Sequence, residues 1–151
     1  MHEQLKLDNQ LCFRLYTASR LVTQAYRPLL EPLGLTYPQY LVLMVLWERD
    51  NLLVSEITQR LMLDTNTVTP LLQRMERDGL LVRTRGIADG RQTLVSLTRK
   101  GRHIEEKASE IPACMVRNLM SGDGDGDARQ FELMAKGLDA IIEALKNERG
   151  K

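Results

Sequence analysis

The sequence has few of the residues that build metal sites and cofactor sites. Its 151 residues include two cysteines and two histidines, which stand far apart and match no zinc-binding spacing. It also lacks the glycine-rich loops that hold nucleotides and the serine turn of many hydrolases. We therefore expect no metal and no organic cofactor.

Long apolar runs are missing as well. The longest one, residues 40–47, is followed by three charged residues and is too short to cross a bilayer, which takes about 20 apolar residues. It predicts a buried core helix instead. The amino-terminal segment has no apolar stretch typical of a signal peptide. We therefore expect a cytoplasmic protein with no membrane partner, and in that compartment the two cysteines should be free thiols.

Aromatic residues are scarce, at 5% of the sequence, whereas 43% of the residues are hydrophobic. This composition suits a single domain of packed helices. The net charge is only +1, but residues 55–102 hold nine basic against five acidic side chains, and residues 121–151 hold five basic against seven acidic. The central segment is therefore the part suited to a polyanion such as DNA.

The central segment has the pattern of two short helices joined by a polar turn. Ser55, a typical N-cap residue, is expected to open the first helix, with Glu56 in its first turn. Residues 63–67 favour a turn, and the second helix then runs to Gly79, a typical left-handed end. Apolar residues at helical spacing predict the buried faces: Ile57, Leu61 and Met62 in the first helix, and Val68, Leu71, Leu72 and Met75 in the second.

The opposite face of the second helix is polar. Hydroxyl and amide groups near its start can read base edges in a major groove, and arginines further along can contact guanine or phosphate. A solvated helix surface has the same composition, so this face alone leaves both interpretations open. The residues that we predict to contact DNA are Thr65, Asn66, Thr67, Thr69, Gln73, Arg74 and Arg77.

A hairpin follows the two helices and favours the DNA-binding interpretation. Residues 80–85 and 93–97 are typical of short strands, and the loop between them contains two glycines. Arg91 in this loop is placed to enter a minor groove, with Asp89 orienting it. Helix, turn, helix and hairpin together predict a winged helix-turn-helix over residues 37–98, in a fold that is mainly α with a small β-hairpin.

Amphipathic helices flank this unit on both sides. They are predicted at residues 8–30, at residues 98–119 with Thr98 as the cap, and at residues 128–145. Their apolar faces exceed what one small winged unit can cover, so we expect residues 1–36 and 99–151 to form a helical dimerisation region, within one compact domain overall. A homodimer would place two recognition helices about 34 Å apart on a near-palindromic operator in double-stranded DNA.

Cys12 lies near the start of the first flanking helix. If Asp8 is the cap, the helix dipole favours the thiolate there, and Tyr16 lies one turn further on the same face. A cysteine on an apolar helical face is also a common small packing residue, and the same holds for Cys114. These residues alone leave both interpretations open.

Several segments resemble the organic-hydroperoxide sensors of the OhrR group, within the MarR-type repressors. The resemblance covers about residues 5–112 and is most specific around Cys12 and in the run Thr36-Tyr37-Pro38-Gln39-Tyr40. The matching segments are residues 7–13, 15–16, 26–30, 33–40, 63–64 and 67–72.

The resemblance implies a homodimeric winged-helix repressor in which Cys12 is the peroxide-reactive thiol. At matching positions, Tyr26 and Tyr37 from the other subunit would hydrogen-bond the Cys12 sulfur, with Tyr16 lining the same pocket. An organic hydroperoxide, as the signal, would convert Cys12 to a sulfenic acid, which condenses with a second thiol. Some members of the group take that thiol from the helix after the wing of the partner chain, and Cys114 fits this role by region.

Other functions stay open on the sequence alone. One is a MarR-like repressor that a small phenolic or aromatic ligand releases from DNA, with Cys12 structural. A thiol peroxidase is the enzyme alternative, which we do not favour, so no enzymatic activity is expected. Residues 121–132 partly match a calcium loop, but Ser121 takes the place of the first aspartate, and such acidic, glycine-rich stretches are usually connectors.

Overall fold

The computed structural model describes residues 1–86, 88–119 and 125–149 of the chain, without the side chains of 125–127 and 149. Its helices are α1 (Leu11–Leu30), α2 (Tyr37–Glu48), α3 (Val54–Leu61), α4 (Thr65–Arg77), α5 (Arg99–Ala108), α6 (Ile111–Leu119) and α7 (Asp125–Arg149). The strands are β1 (Leu52–Leu53), β2 (Leu81–Arg85) and β3 (Thr93–Leu97). The predicted fold class, mainly α with a small antiparallel sheet, is confirmed. The chain forms two compact units, Met1–Ile111 and Pro112–Lys151, which are described separately.

Helix α2 lies at the centre of the first unit. Thr36 caps it, because the Thr36 hydroxyl accepts a hydrogen bond from the Gln39 amide while the Gln39 side chain accepts one from the Thr36 amide. Val42, Leu43 and Leu46 are almost completely buried, so the predicted core helix is confirmed. Among the described residues, no single helix is long and apolar enough to cross a bilayer, and α1 and α2 reach that length only as a pair bent by 70°.

Helices α3 and α4 form the helix-turn-helix, and the sheet follows it. The predicted apolar face of α4 is buried, and Gly79 ends this segment with a left-handed φ of 78°. Strands β2 and β3 pair over five residues, from Leu81 opposite Leu97 to Arg85 opposite Thr93. The two-residue strand β1 adds to the other edge of β3, which makes a three-stranded sheet. This third strand was not predicted, because two residues carry no alternation pattern.

The start and end of α3 differ from the prediction. The helix begins at Val54, so Ser55 lies inside its first turn and is not the cap. The Glu56 carboxylate takes the capping role by accepting a hydrogen bond of 2.8 Å from the Leu53 amide. At the other end, Met62 adopts a left-handed φ of 55° that turns its side chain outward, and it is 55% exposed. Met62 is therefore not part of the core face.

Helix α1 begins at Leu11, three residues later than predicted. Asp8 lies in a short 3-10 turn and does not cap the helix. Side chains fold the preceding segment onto the helix start: the Gln10 amide donates to the carbonyl of Gln4 at 2.7 Å, and the Arg14 guanidinium donates to the carbonyl of Asp8 at 2.6 Å. These contacts hold residues 3–10 as two tight turns, which a helical periodicity does not indicate.

The helix predicted from Thr98 to Leu119 is in fact two helices. The Thr98 cap is confirmed, since its hydroxyl accepts a hydrogen bond from the Gly101 amide. The chain breaks at Ser109, whose hydroxyl donates to the Glu106 carbonyl at 2.7 Å. Pro112 lacks the N–H that a continuing helix would offer to Ala108, so the helix does not continue and a new one, α6, starts at Ile111. Helix α7 is longer at both ends than the predicted 128–145.

Candidate redox and DNA-binding sites

The polar face of α4 projects away from the core. Because Val68, Leu72 and Met75 are buried on the inner face, the opposite side chains are directed outward. Six of the α4 residues predicted to contact DNA are exposed on this side: Thr65, Asn66, Thr67, Gln73, Arg74 and Arg77. The seventh, Thr69, is half-buried. Their contact with DNA stays a prediction.

Residues 89–92 of the loop between β2 and β3 form a tight turn, and Arg91 on it is exposed. Asp89 holds Arg91 through the main chain, because the Asp89 carboxylate accepts a hydrogen bond from the Arg91 amide at 3.0 Å. Gly86 is required in the turn, since a Cβ atom there would approach the Asp89 carbonyl to 2.9 Å. Ile87 lies outside the described residues.

Glu76 links α4 to the hairpin, and the sequence interpretation missed it. Its carboxylate accepts hydrogen bonds from the Arg83 amide at 2.7 Å and from the Arg83 guanidinium at 3.1 and 3.3 Å. The backbone hydrogen bond from Arg83 is the main reason why the pKa of Glu76 lies below its ordinary value. Six residues, among them Gly79 in its turn, lie between the two, so no helical or strand spacing relates them. An acid inside a basic segment was the only available signal.

Asp50 forms a second link that the sequence did not indicate. One carboxylate oxygen accepts hydrogen bonds from the amides of Asn51 and Leu97, and the other accepts one from the Arg102 guanidinium at 2.9 Å. The residue follows α2 directly and contacts both β3 and α5. It therefore attaches the end of the core helix to the hairpin.

Cys12 is the second residue of α1 and is exposed. This position places the residue in the first turn of the helix. Phe13 and Tyr16 are also exposed in the single chain, and Tyr16 lies one turn further along α1. The surroundings of Cys12 within one chain are thus apolar and open.

Three tyrosines form a cluster where α1 meets α2. The ring centroids of Tyr26 and Tyr37 are 4.6 Å apart, and Tyr40 lies 5.8 Å from Tyr26 and 6.4 Å from Tyr37. The structure therefore brings together two of the predicted thiolate-stabilising residues, whereas Tyr16 is exposed elsewhere on α1. Tyr40, which is buried, was not predicted to belong to this group. Its position one turn after Tyr37 was the available signal.

Burial keeps the phenols of this cluster protonated. It is the main cause that raises the pKa of Tyr26, with further contributions from Tyr37 and Tyr40, and it raises the pKa of Tyr37 and of Tyr40 as well. Neutral phenols are hydrogen-bond donors. The cluster can therefore donate to an anion at neutral and moderately alkaline pH.

Cys114 belongs to the second unit. It lies on α6, is half-buried, and its sulfur accepts a hydrogen bond from the Arg117 guanidinium at 3.2 Å. Residues 121–124 of the partial calcium loop lie outside the described residues, and its remaining positions belong to α7, so they do not form a loop. In the part of the chain that the structure describes, no group of histidines, cysteines and carboxylates is arranged to hold a metal ion.

Comparison with known proteins places this arrangement in a family. Residues 24–108 match the family of SarA/Rot transcriptional regulators. The chain is 48% identical, over 95% of its length and 94% of the relative's, to the organic hydroperoxide resistance transcriptional regulator of Bacillus subtilis strain 168. The chain belongs to the MarR family, in its OhrR group. The expectation drawn from the sequence resemblance is thereby confirmed.

Solved structures of an MarR-type neighbour extend the comparison to different redox forms. Reduced AbfR of Staphylococcus epidermidis bound to DNA is 38% identical, with a TM-score of 0.72, over 92% of this chain and 96% of that one. Disulfide-formed AbfR is 37% identical, with a TM-score of 0.65, over 93% of this chain and 95% of that one. The present chain is thus a DNA-binding transcriptional regulator of the OhrR/MarR type, and the proteins that it resembles are regulators, not enzymes.

Proposed function

We propose that this MarR-family protein is a dimeric repressor that leaves its operator when an organic hydroperoxide oxidises Cys12. The observation that carries this proposal is the exposed Cys12 sulfur in the first turn of α1. A structural cysteine on an apolar face would be expected to be buried. The name of the Bacillus subtilis relative, an organic hydroperoxide resistance regulator, supports the same signal.

A second copy of the chain completes the sensor site. Apolar side chains of α1 and α7 are exposed in a single chain, among them Leu11 and Tyr16 in α1 and Phe131 and Leu145 in α7. Soluble proteins rarely leave such faces uncovered, and a twofold dimer buries the same face of both copies. In this arrangement Tyr26 and Tyr37 of the partner subunit donate hydrogen bonds to the Cys12 sulfur. Their close ring contact supports a joint role.

The reaction at Cys12 is a two-electron oxidation. The thiolate attacks the outer oxygen of the hydroperoxide, the O–O bond breaks, and the S–O bond forms, so that Cys12 becomes a sulfenic acid and the peroxide leaves as an alcohol after taking up a proton. Phenol donors stabilise the thiolate before the attack. The apolar neighbours Phe13 and Leu15 favour an alkyl or lipid hydroperoxide over hydrogen peroxide.

Cys114 of the partner subunit then resolves the sulfenic acid. Its thiol attacks the Cys12 sulfur, a disulfide forms, and the sulfenic oxygen leaves as water. The solved disulfide form of AbfR supports a disulfide step in a related regulator. Loss of the phenol contacts and formation of the bridge would shift the helices that carry the two winged units.

The winged unit supplies the DNA contacts. The exposed hydroxyl and amide groups at the start of α4 read base edges in the major groove, while Arg74 and Arg77 contact guanine or phosphate. Arg91 enters the adjacent minor groove from the hairpin. Two copies bound on one side of the duplex select a near-palindromic operator.

The test is an operator-binding titration with and without cumene hydroperoxide. The reduced protein first selects its operator from a random duplex pool, and the Kd is then measured for wild type, Cys12→Ser and Cys114→Ser. We expect hydroperoxide to raise the wild-type Kd more than about tenfold, in line with typical coupling between two sites, and dithiothreitol to reverse the change. Cys12→Ser should keep its affinity.

The other functions predict different results. Release of Cys12→Ser by hydroperoxide would contradict a role for this sulfur, and release of wild type by small phenols alone would favour the ligand-controlled repressor. Sustained hydroperoxide turnover with a reductant would favour the thiol peroxidase. Without a crosslinked dimer on a non-reducing gel, the Cys114 step would be wrong, and mass spectrometry would identify the thiol that replaces it.

A further inference from the structure

Helix α2 runs from the tyrosine cluster toward α5 and the hairpin. Its amino-terminal turn carries Tyr37 and Tyr40, and Trp47 lies near its other end. The edge of one ring meets the face of the other between Tyr40 and Trp47, with centroids 6.3 Å apart and planes at 68°. Aromatic contacts thus run without a gap from Tyr26 to Trp47.

Trp47 is attached to the first turn of α5. Its indole N–H donates a hydrogen bond of 2.9 Å to the Gly101 carbonyl. Asp50 strengthens the same junction through its hydrogen bonds with Leu97 and Arg102. The carboxyl end of α2 is therefore held against β3 and α5 by directional contacts as well as by packing.

The first turn of α5 in turn holds the end of the recognition helix. The Thr98 hydroxyl donates to the Gly79 carbonyl at 2.6 Å, the Lys100 ammonium donates to the Asp78 carbonyl at 2.8 Å, and the Thr98 amide donates to the Leu80 carbonyl. Gly101 lies so close to Leu80 that a Cβ atom would overlap the Leu80 carbonyl oxygen. A shift of Gly101 therefore moves the end of α4.

We propose that Trp47 is the positioning residue that couples the tyrosine cluster to the recognition helix. When Tyr26 and Tyr37 change partners, Tyr40 repacks, and its contact with Trp47 moves the indole. The Trp47 hydrogen bond then pulls on the first turn of α5 and displaces the end of α4. This inference rests on the proposed function for its signal, but the mechanical link itself belongs to the reduced chain.

Trp47→Phe tests the link because phenylalanine keeps an aromatic ring beside Tyr40 but cannot donate to Gly101. We expect the ratio of the operator Kd values of oxidised and reduced protein to shrink about tenfold, while Cys12 is oxidised at the wild-type rate. Met44→Leu, at an exposed position of the same helix, is the matched control and should keep the wild-type ratio. Equal changes of both Kd values in Trp47→Phe would mean a purely structural role and would overturn the proposal.

A double-mutant cycle tests the link without any peroxide. The operator Kd of the reduced protein is measured for Tyr37→Ala, Trp47→Phe and the double variant. We expect the effects to deviate from their product by about threefold or more, since coupled residues are non-additive. Additive effects would overturn the coupling even if hydroperoxide releases the wild type from DNA. If hydroperoxide leaves the wild-type Kd unchanged but the cycle is non-additive, only the proposed function is refuted.

Trp47 also provides a direct spectroscopic signal, because it is the only tryptophan in the sequence. Oxidation of Cys12 should change its emission in wild type and leave the emission of Cys12→Ser unchanged. An oxidised protein that releases DNA with unchanged tryptophan emission would contradict the proposed path.

Discussion

The winged unit and the flanking helices have similar helical periodicity but opposite burial. In α4 the apolar residues Val68, Leu72 and Met75 are completely buried within one chain. In α1 and α7, by contrast, Leu11 is 60%, Tyr16 69% and Leu145 61% exposed. The winged unit contains its own core, whereas the flanking helices present apolar surface that a second copy would cover.

In the proposed function, this difference separates DNA binding from sensing. A recognition helix must keep its geometry whether or not a signal is present, and a core within one chain provides that rigidity. A sensor must change its geometry, and surfaces shared between subunits can rearrange as discrete states. Of the residues proposed to take part in sensing, Cys12, Tyr16 and Tyr26 belong to α1, one of the helices with exposed apolar residues, whereas Tyr37 lies on α2.

Gly101→Ala should have the largest effect on the stability of the fold. The added methyl group would overlap the Leu80 carbonyl oxygen, and it would also approach a methyl carbon of Leu97 to 3.1 Å. Because the backbone on both sides is held by hydrogen bonds, we expect a loss of about 3 kcal/mol or more in the free energy of unfolding. Urea denaturation followed by circular dichroism measures it.

Gly137→Ala in α7 is the matched control for that substitution. Among the described residues, no atom outside the helix's own backbone lies within 4 Å of a Cβ atom at this position. Alanine is the better helix former, so stability should stay unchanged or rise by up to about 1 kcal/mol. A similar loss of stability in both variants would show that the close contact of Gly101 with Leu80 is not the cause of the loss.

Leu138→Asp tests whether a second copy of the chain covers the apolar face of α7. Leu138 lies on the apolar face of α7 and is exposed in one chain, so a carboxylate there should leave the monomer folded. In a dimer it would be buried without a partner, and we expect the dimer dissociation constant to rise about 30-fold or more. Sedimentation equilibrium measures this, with Asn147→Asp on the opposite face as the control. An unchanged dimer would remove α7 from the interface.

Arg91→Ala addresses the outward surface of the winged unit without touching its core. The side chain is exposed and its turn is held by main-chain contacts, so the fold should be unchanged. We expect operator affinity to fall about tenfold and the salt dependence of binding to lose about one unit of slope. Fluorescence anisotropy over a salt series measures both quantities. A full salt slope in the variant would show that Arg91 does not contact the DNA.

The sequence predicted the winged unit well because its signals are local. Buried positions of α4, the Gly79 end, the hairpin and the Thr98 cap all follow from spacing, turn chemistry or capping within a few residues. The flanking helices were predicted as amphipathic, but periodicity shows only that a face is apolar and not which surface covers it. The role of residues 1–36 and 99–151 in dimerisation therefore stays a prediction.

The misses have two physical causes. Some arise from local side chains that bond to the backbone outside the helical pattern, and others from contacts between residues distant in the sequence. Asp8 was an acceptable cap, yet Arg14 and Gln10 hold the segment in two turns. The contacts of Asp50 with Leu97 and Arg102 bridge 47 and 52 residues. For Tyr26 and Tyr37 the family resemblance placed both at one site, but only the fold shows that Tyr40 joins them.

Glu76→Gln tests the contact between α4 and the hairpin and should have the smallest effect on stability. Glutamine can still accept a hydrogen bond from the Arg83 amide but loses the charge beside its guanidinium, so we expect a loss of about 1 kcal/mol near neutral pH. Since the pKa of Glu76 is lowered in the folded state, its contribution is present above its ordinary value of 4.5 and is lost as the pH falls through the folded value. The difference between wild type and Glu76→Gln should therefore narrow as the pH falls below 4.5 and close once Glu76 is protonated in the folded state. Urea midpoints over a pH series test this, with the exposed Glu105→Gln as control. A stability difference between wild type and Glu76→Gln that persists in acid would show that packing, and not charge, accounts for the contribution of Glu76.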